Sequence, residues 1–193
     1  MTATPEIVLA SSSPYRRALL KRLGLSFSTL TPDVDESPRA GESPADLAMR
    51  LARLKAQTGS GLAPGAVVIG SDQVAECNGQ PLGKPGTGER AEQQLQTLQG
   101  QTVVFHTAVC VTDGTGARAE NVPTTVRMRA LSLEQIQRYV RLDNPVDCAG
   151  AFKSEALGIS LIESLASDDP TALVGLPLIA TIRLLGQFGI ALP

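Results

Sequence analysis

The stretch Ile7-Val8-Leu9-Ala10-Ser11-Ser12-Ser13-Pro14 followed by Tyr15 to Leu23 constrains the fold most. Four apolar residues in a row predict a strand buried on both faces, since a half-exposed strand would alternate. Ser13 is a suitable helix cap, Pro14 suits the first helical position, and Gly24 closes the helix. A strand running through a polar turn into a helix is the repeating unit of α/β sheets. Ligands of such sheets sit at the carboxyl ends of the strands.

The rest of the chain continues in the same style. Ser43-Pro44-Ala45-Asp46 opens a second helix with an apolar face through Leu47, Leu51 and Leu54. Ala66 to Ile69 reads as a buried strand ending in Gly70-Ser71-Asp72-Gln73, and Asn78-Gly79 as a hairpin turn before Gln80-Pro81-Leu82. Thr87 to Leu98 is a polar helix stopped by Gly100. Val103 to Thr112 pairs with a strand near Thr124 to Arg129 across the turn Asp113-Gly114-Thr115-Gly116. Ser132-Leu133-Glu134-Gln135 is a capping-box start to a helix reaching about Arg141, Gly158 to Leu165 reads as a strand, and Pro177 opens a last helix ending near Gly186. There is no repeat, low-complexity segment or linker, so residues 1–193 are expected to form a single α/β domain with a mixed sheet flanked by helices.

Composition excludes several functions. A formal net charge of −2 and 3% aromatics argue against a protein that holds long nucleic acid, which needs positive charge and stacking platforms. With one histidine, His106, and three scattered cysteines, Cys77, Cys110 and Cys148, a Cys/His zinc site lacks ligands. Met1 to Glu6 has neither the basic start nor the apolar core of an export signal, and no run approaches the ~18 apolar residues of a membrane span. A reduced, cytoplasmic protein without membrane attachment is expected.

Some residues are out of place for structure alone. Arg16 and Arg17 stand in the first turn of a helix, where the partial positive charge disfavours cations by roughly 0.3–1 kcal/mol each. Either both point into water, or exposed N–H groups, serine hydroxyls and guanidinium groups together hold an anion. Asp72 ends a buried strand, where it can hold a metal, position water, accept a proton, or simply cap a neighbouring N–H. Lysine is scarce, at Lys21, Lys55, Lys84 and Lys153, and Lys84 lies in the rigid setting Gly83-Lys84-Pro85. Glu36, in Asp33-Val34-Asp35-Glu36, belongs to a solvated loop or completes a carboxylate pair with Asp72 for magnesium. Together these describe a polyphosphate site.

Leu9-Ala10-Ser11-Ser12-Ser13-Pro14-Tyr15-Arg16-Arg17, Asp35-Glu36, Arg50-Leu51-Ala52, Lys55-Ala56, Gly70-Ser71-Asp72-Gln73, Gly83-Lys84-Pro85, Tyr139-Val140, Cys148-Ala149-Gly150 and Val174-Gly175-Leu176-Pro177 together resemble the Maf family of nucleotide pyrophosphatases, in that family's order and over nearly the whole chain. The resemblance implies an elongated mixed β-sheet flanked by helices, two lobes and a central cleft, a fold shared with inosine triphosphate pyrophosphatases. It implies a homodimer, a divalent cation (Mg²⁺ or Mn²⁺), and cleavage of a nucleoside triphosphate to monophosphate and pyrophosphate. It assigns Asp72 as proton acceptor, Glu36 with Asp72 to the metal, and Ser11, Arg16, Lys55 and Lys84 to the phosphates.

Base preference rests on Tyr15, Gln73 and Glu155, which resemble the family's 7-methyl-GTP branch; the pyrimidine branch has Arg, Thr and Gln there. A carboxylate at Glu155 can accept from guanine N1–H and N2–H, whereas the carbonyls of uracil and thymine would repel it. N7-methylation makes the base a cation, which favours both a carboxylate and the Tyr15 ring face, the latter by ~0.5–2 kcal/mol. Ala156 follows Glu155 where that branch has Gly, and a positive φ there would strain it. The rival readings are a dTTP/UTP pyrophosphatase of the same family and a nucleotide-sensing regulator of septum formation.

Overall fold

The structure is a computed structural model that describes residues 5–193; Met1 to Thr4, and with them most of the segment read against an export signal, lie outside the described residues. Strands β1 (Ile7–Ala10), β2 (Ser28–Leu30), β3 (Val67–Cys77), β4 (Gln80–Leu82), β5 (Thr102–Thr112), β6 (Ala117–Met128) and β7 (Ile162–Ser167) form one sheet. The order is β2-β1-β3-β5-β6-β7, with β4 also on β3. β1 runs parallel to β2 and β3, and the other pairs are antiparallel, so the sheet is mixed as expected.

Five helices cover both faces: α1 (Pro14–Lys21), α2 (Pro44–Leu62), α3 (Gly88–Leu98), α4 (Leu133–Asp143) and α5 (Leu178–Gly186). On one face, Leu19, Leu20, Leu184 and Leu185 of α1 and α5 pack on Ile7, Leu9, Val67, Ile69 and Val109. Further along the same face, Leu95, Leu98, Ile136 and Tyr139 of α3 and α4 pack on Ala75, Val103, Phe105 and Val126. On the opposite face, Leu47, Ala48, Leu51, Ala52 and Ala56 of α2 meet Val74, Ala108 and Cys110. Alternate residues of β1 and β3 therefore meet helices on opposite sides, which is why those strands read as unbroken apolar runs. Leu54, expected on the buried face of α2, is only half-buried; Lys55 and Gly59 take the buried places.

Several elements differ from expectation, among them β2, which no sequence signal announced. β3 does not stop at Ile69 but continues to Cys77, so Asp72 stands mid-strand and not at a strand end. Gly70 is responsible for the difference. In sequence it resembles a terminator, yet a Cβ there would lie 2.4 Å from both Ala52 O and Ala56 N. It is the point where α2 presses onto the sheet. β6 begins earlier than expected, and the segment expected to be a strand from Gly158 starts as a 3₁₀ turn (Leu157–Leu161) before β7. The hairpin turn at Asp113 and the capping box at Ser132 and Gln135 are formed as expected. Among the described residues, no helix is long and apolar enough to cross a membrane.

Because the atoms facing Gly70 are backbone, relief requires moving the helix. Gly70→Ala should destabilise the fold by about 3 kcal/mol or more, read as a lower midpoint of urea unfolding. An unchanged midpoint would contradict the packing described.

Candidate active site

The sheet opens at one place. β1 accompanies β3 only as far as the pair Ala10–Gly70, and β4 joins the same edge only at the pair Ala75–Leu82. Between them the edge of β3 lacks a neighbouring strand, and a cavity of about 630 Å³ forms there. All the site residues expected from sequence line it except Glu155.

Lys55 is the cationic centre. It projects from α2, 7% exposed, and its Nζ donates to Asp72 Oδ1 at 2.6 Å and lies 2.6 Å from Glu36 Oε1. An ammonium so buried needs such partners, because desolvation of an unpaired charge costs several kcal/mol. Partial burial pushes the Glu36 carboxyl up, but the Lys55 contact and the charges of Lys84 and Arg16 outweigh it and hold the group below its ordinary value.

The loop carrying Glu36 is itself clamped. Arg50 on α2 pairs in a fork with Glu42, Nε to Oε1 at 2.6 Å and Nη2 to Oε2 at 2.9 Å, and Nη2 also donates to Ser37 O. The Arg50 bonds, foremost among the causes, bring the Glu42 carboxyl down to about 2.

Arg16 and Arg17 part company. Arg16 Nε donates to Gly175 O at 2.8 Å and its Nη1 to Ser11 Oγ at 3.4 Å, which aims the guanidinium into the cavity. Burial lowers its pKa, opposed by the charges of Asp72 and Glu36. Arg17 turns outward to Thr29 Oγ1. The Gly175 carbonyl also accepts from Ser71 Oγ at 3.1 Å.

That carbonyl is held by a network absent from the sequence expectations. α5 has Pro177 at its cap position and no capping side chain of its own. Asp169, 2% exposed, accepts from Ile179 N through Oδ2 and from Thr171 N and Oγ1 through Oδ1. Thr171 Oγ1 in turn accepts from Leu178 N at 2.8 Å. The signal in the sequence was negative: a helix start with no Ser, Thr, Asp or Asn at its cap needs partners from elsewhere.

Tyr15 OH reaches Asp147 Oδ2 at 3.4 Å, and burial, with Cys148 and Asp147 beside it, raises the phenol pKa, so the ring is neutral near pH 7. Gln73 Nε2 lies 3.0 Å from Thr107 Oγ1 and from the carbonyls of Ala172 and Leu173, three acceptors that share its two hydrogens and fix the orientation of its amide. Lys84 is exposed at the rim. Glu155 is also exposed, accepting only from Ser154 Oγ among the described residues, and stands off the cavity wall. Ala156 has φ −129°, so the anticipated strain after Glu155 does not arise.

Glu36 and Asp72 touch one and the same ammonium, so their carboxylates converge on a site for a single cation. No group of three or more His, Cys, Asp or Glu side chains among the described residues is placed to hold a metal. Two oxygen donors completed by phosphate and water suit Mg²⁺ or Mn²⁺, and the residues therefore fit the ion.

A mixed α/β sheet with cations and paired carboxylates gathered at an interrupted strand edge defines a phosphate-binding α/β protein of enzyme type. The chain belongs to the Maf family: residues 6–188 match the family described as "Maf-like protein". It is 53% identical over 186 residues to a protein of Bordetella pertussis named 7-methyl-GTP pyrophosphatase, covering 96% of this chain and 94% of that one. Proteins of the same name from Aromatoleum aromaticum (57% identical; 97% and 98% of the two chains) and Xanthomonas axonopodis pv. citri (54%; 98% and 100%) are similar over the same extent. Among solved structures, the Staphylococcus aureus Ham1 protein matches with a TM-score of 0.47 at 18% identity over 64% of this chain and 71% of that one.

The Glu42 carboxyl is depressed in the fold, so its contribution to stability is full above its ordinary value of 4.5 and is lost as pH falls towards about 2. In Arg50→Met that carboxyl should titrate back near its ordinary value, and amides of residues 35–42 should exchange faster. Carboxyl NMR titration and hydrogen exchange would read both; unchanged values would dismiss the clamp.

Proposed function

We propose that the chain hydrolyses 7-methyl-GTP to 7-methyl-GMP and pyrophosphate, in the cytoplasm. The observation that carries this is the convergence of Arg16, Lys55 and Lys84 with Glu36 and Asp72 on one cavity. Relatives that match nearly the whole chain bear that activity in their names. Three cysteines without a disulfide suit a reducing compartment.

In this reading the triphosphate lies against Arg16, Lys55 and Lys84, with Ser11 adding a hydroxyl from the β1–α1 turn. Asp72 orients a water and takes its proton as the water oxygen bonds to the α-phosphorus. The bond from that phosphorus to the bridging oxygen breaks, and pyrophosphate leaves with its growing negative charge matched by the fixed cations. Because Gly175 and Ser11 already hold the Arg16 guanidinium, little ordering remains at the moment of reaction. A divalent cation held by Glu36 and Asp72, when bound, supplies neutralisation of phosphate charge. Tyr15 and Gln73 face the base, and the absence of an arginine at position 15 disfavours the pyrimidine reading.

The test is a panel of methylated and canonical triphosphates with metal, scored for monophosphate and pyrophosphate. 7-Methyl-GTP should be preferred and EDTA should abolish turnover; equal rates on UTP would defeat the substrate assignment. Asp72→Asn should stay folded and lose about 10²–10⁴-fold in kcat, and near-normal kcat would remove Asp72 from the mechanism.

A further inference from the structure

The cavity wall carries one more carboxylate, Asp147, a residue the sequence did not single out. The charges acting on Glu36 are those of Lys55, Lys84 and Arg16. Beside Tyr15 stand Asp147, whose Oδ2 its hydroxyl reaches at 3.4 Å, and the Cys148 thiol. Arg16, Lys55 and Lys84 line the cavity together with Glu36 and Asp72, and Asp147 lines it beside Tyr15.

Lys153 is largely engaged elsewhere. Its Nζ donates to the carbonyls of Asp143 and Asn144 at 2.9 and 3.0 Å, at the carboxyl end of α4, and stands 3.7 Å from Asp147 Oδ1. Asp147 is oriented from several sides. Tyr15 OH approaches Oδ2, Cys148 Sγ approaches Oδ1 at 3.5 Å, and Gly86 N donates to Val146 O at 3.0 Å, tying this turn to the loop that bears Lys84. The carboxylate nevertheless stays about half exposed, 54% by side chain, and lies on the cavity wall where Glu155 does not.

We propose that Asp147 is the carboxylate that reads the base, accepting from guanine N1–H and N2–H and favouring the positive charge that N7-methylation confers. The inference rests on the substrate reading above and names the residue that enforces it. The chemistry is specific. A carboxylate presents two acceptors side by side to two adjacent donors, and a fixed negative charge attracts the methylated base more than the neutral one. Tyr15, hydrogen-bonded to the same carboxylate, is placed to lay its ring near the base and add a cation–π contribution that rewards the same charge. Glu155, exposed and off the wall, adds to the acidic field without direct contact.

The experiment compares kcat and KM for 7-methyl-GTP, GTP and UTP in the parent, in Asp147→Asn and in Asp147→Glu. In the parent, 7-methyl-GTP should be preferred. Asp147→Asn loses the charge and one acceptor while keeping the shape. It should raise KM for 7-methyl-GTP more than it lowers kcat and cut the 7-methyl-GTP:GTP ratio of kcat/KM about ten- to hundredfold. Asp147→Glu should retain most of the preference. A structural effect would depress both purine substrates equally and leave the ratio in place. If the parent prefers 7-methyl-GTP and the Asn variant keeps that ratio, the assignment of Asp147 fails alone; if the parent shows no such preference, the substrate reading itself fails. Asp147→Ser serves the same comparison should the Asn variant not fold.

Discussion

An ammonium buried between two carboxylates organises the molecule around it. Lys55 sits on the face of α2 that packs against the sheet, among Ala52, Ala56 and Leu51, where an unpaired charge would be expensive. Its partners come from two other parts of the chain, Asp72 from the middle of β3 and Glu36 from the loop before α2. The contact is possible because Gly70, two residues before Asp72 and therefore on the same face of the strand, lets the helix come down onto the sheet. Packing and chemistry are thus one constraint. The trio also sums to one excess negative charge, which a further cation or a proton can meet.

Much of the site was legible in the sequence because it breaks the rules of structural economy. Arginines in a first helical turn and a carboxylate following an apolar run carry costs that a purely structural residue avoids, whereas Lys55 was marked only by the scarcity of lysine and by the resemblance. What could not be read falls into two kinds. The first is packing that mimics punctuation: Gly70 resembled a strand end because a close backbone approach leaves no trace in local pattern. The second is long-range polar support. Asp169 and Thr171 cap α5 and hold the loop that bears Gly175, and Asp147 joins Tyr15 from 132 residues away. No periodicity reports such pairs. Glu155 shows the converse: its type fits the base, but its neighbours leave it off the wall.

Consecutive residues on a helix point about a third of a turn apart, and the first turn of α1 uses this. Tyr15 reaches Asp147, Arg16 reaches Gly175, and Arg17 reaches Thr29 outside the cavity. Every residue of one short segment, Ser11 to Arg16, therefore lines the cavity. Its geometry is set by Ser13, which caps the helix by accepting from Arg16 N. A small rotation of this turn would move the Arg16 guanidinium and the Tyr15 ring together, so in the proposed reading selection of the base and alignment of the phosphates are coupled.

A chain with a net charge of −2 holding a polyanion needs an explanation beyond a basic surface. Net charge is a sum over the whole chain, whereas a bound ligand feels charges weighted by distance and by the solvent between them. Exposed charges fade over about 10 Å at 0.1 M salt, and charges in a cavity fade less. Here the cations that matter are few and held from several elements: α1 for Arg16, α2 for Lys55, the loop after β4 for Lys84. Asp147 lines the same cavity. A uniformly basic pocket would hold any triphosphate and would repel a base that is itself cationic. In the proposed reading, Asp147 in the same wall offsets that repulsion while Arg16, Lys55 and Lys84 take the phosphate tail.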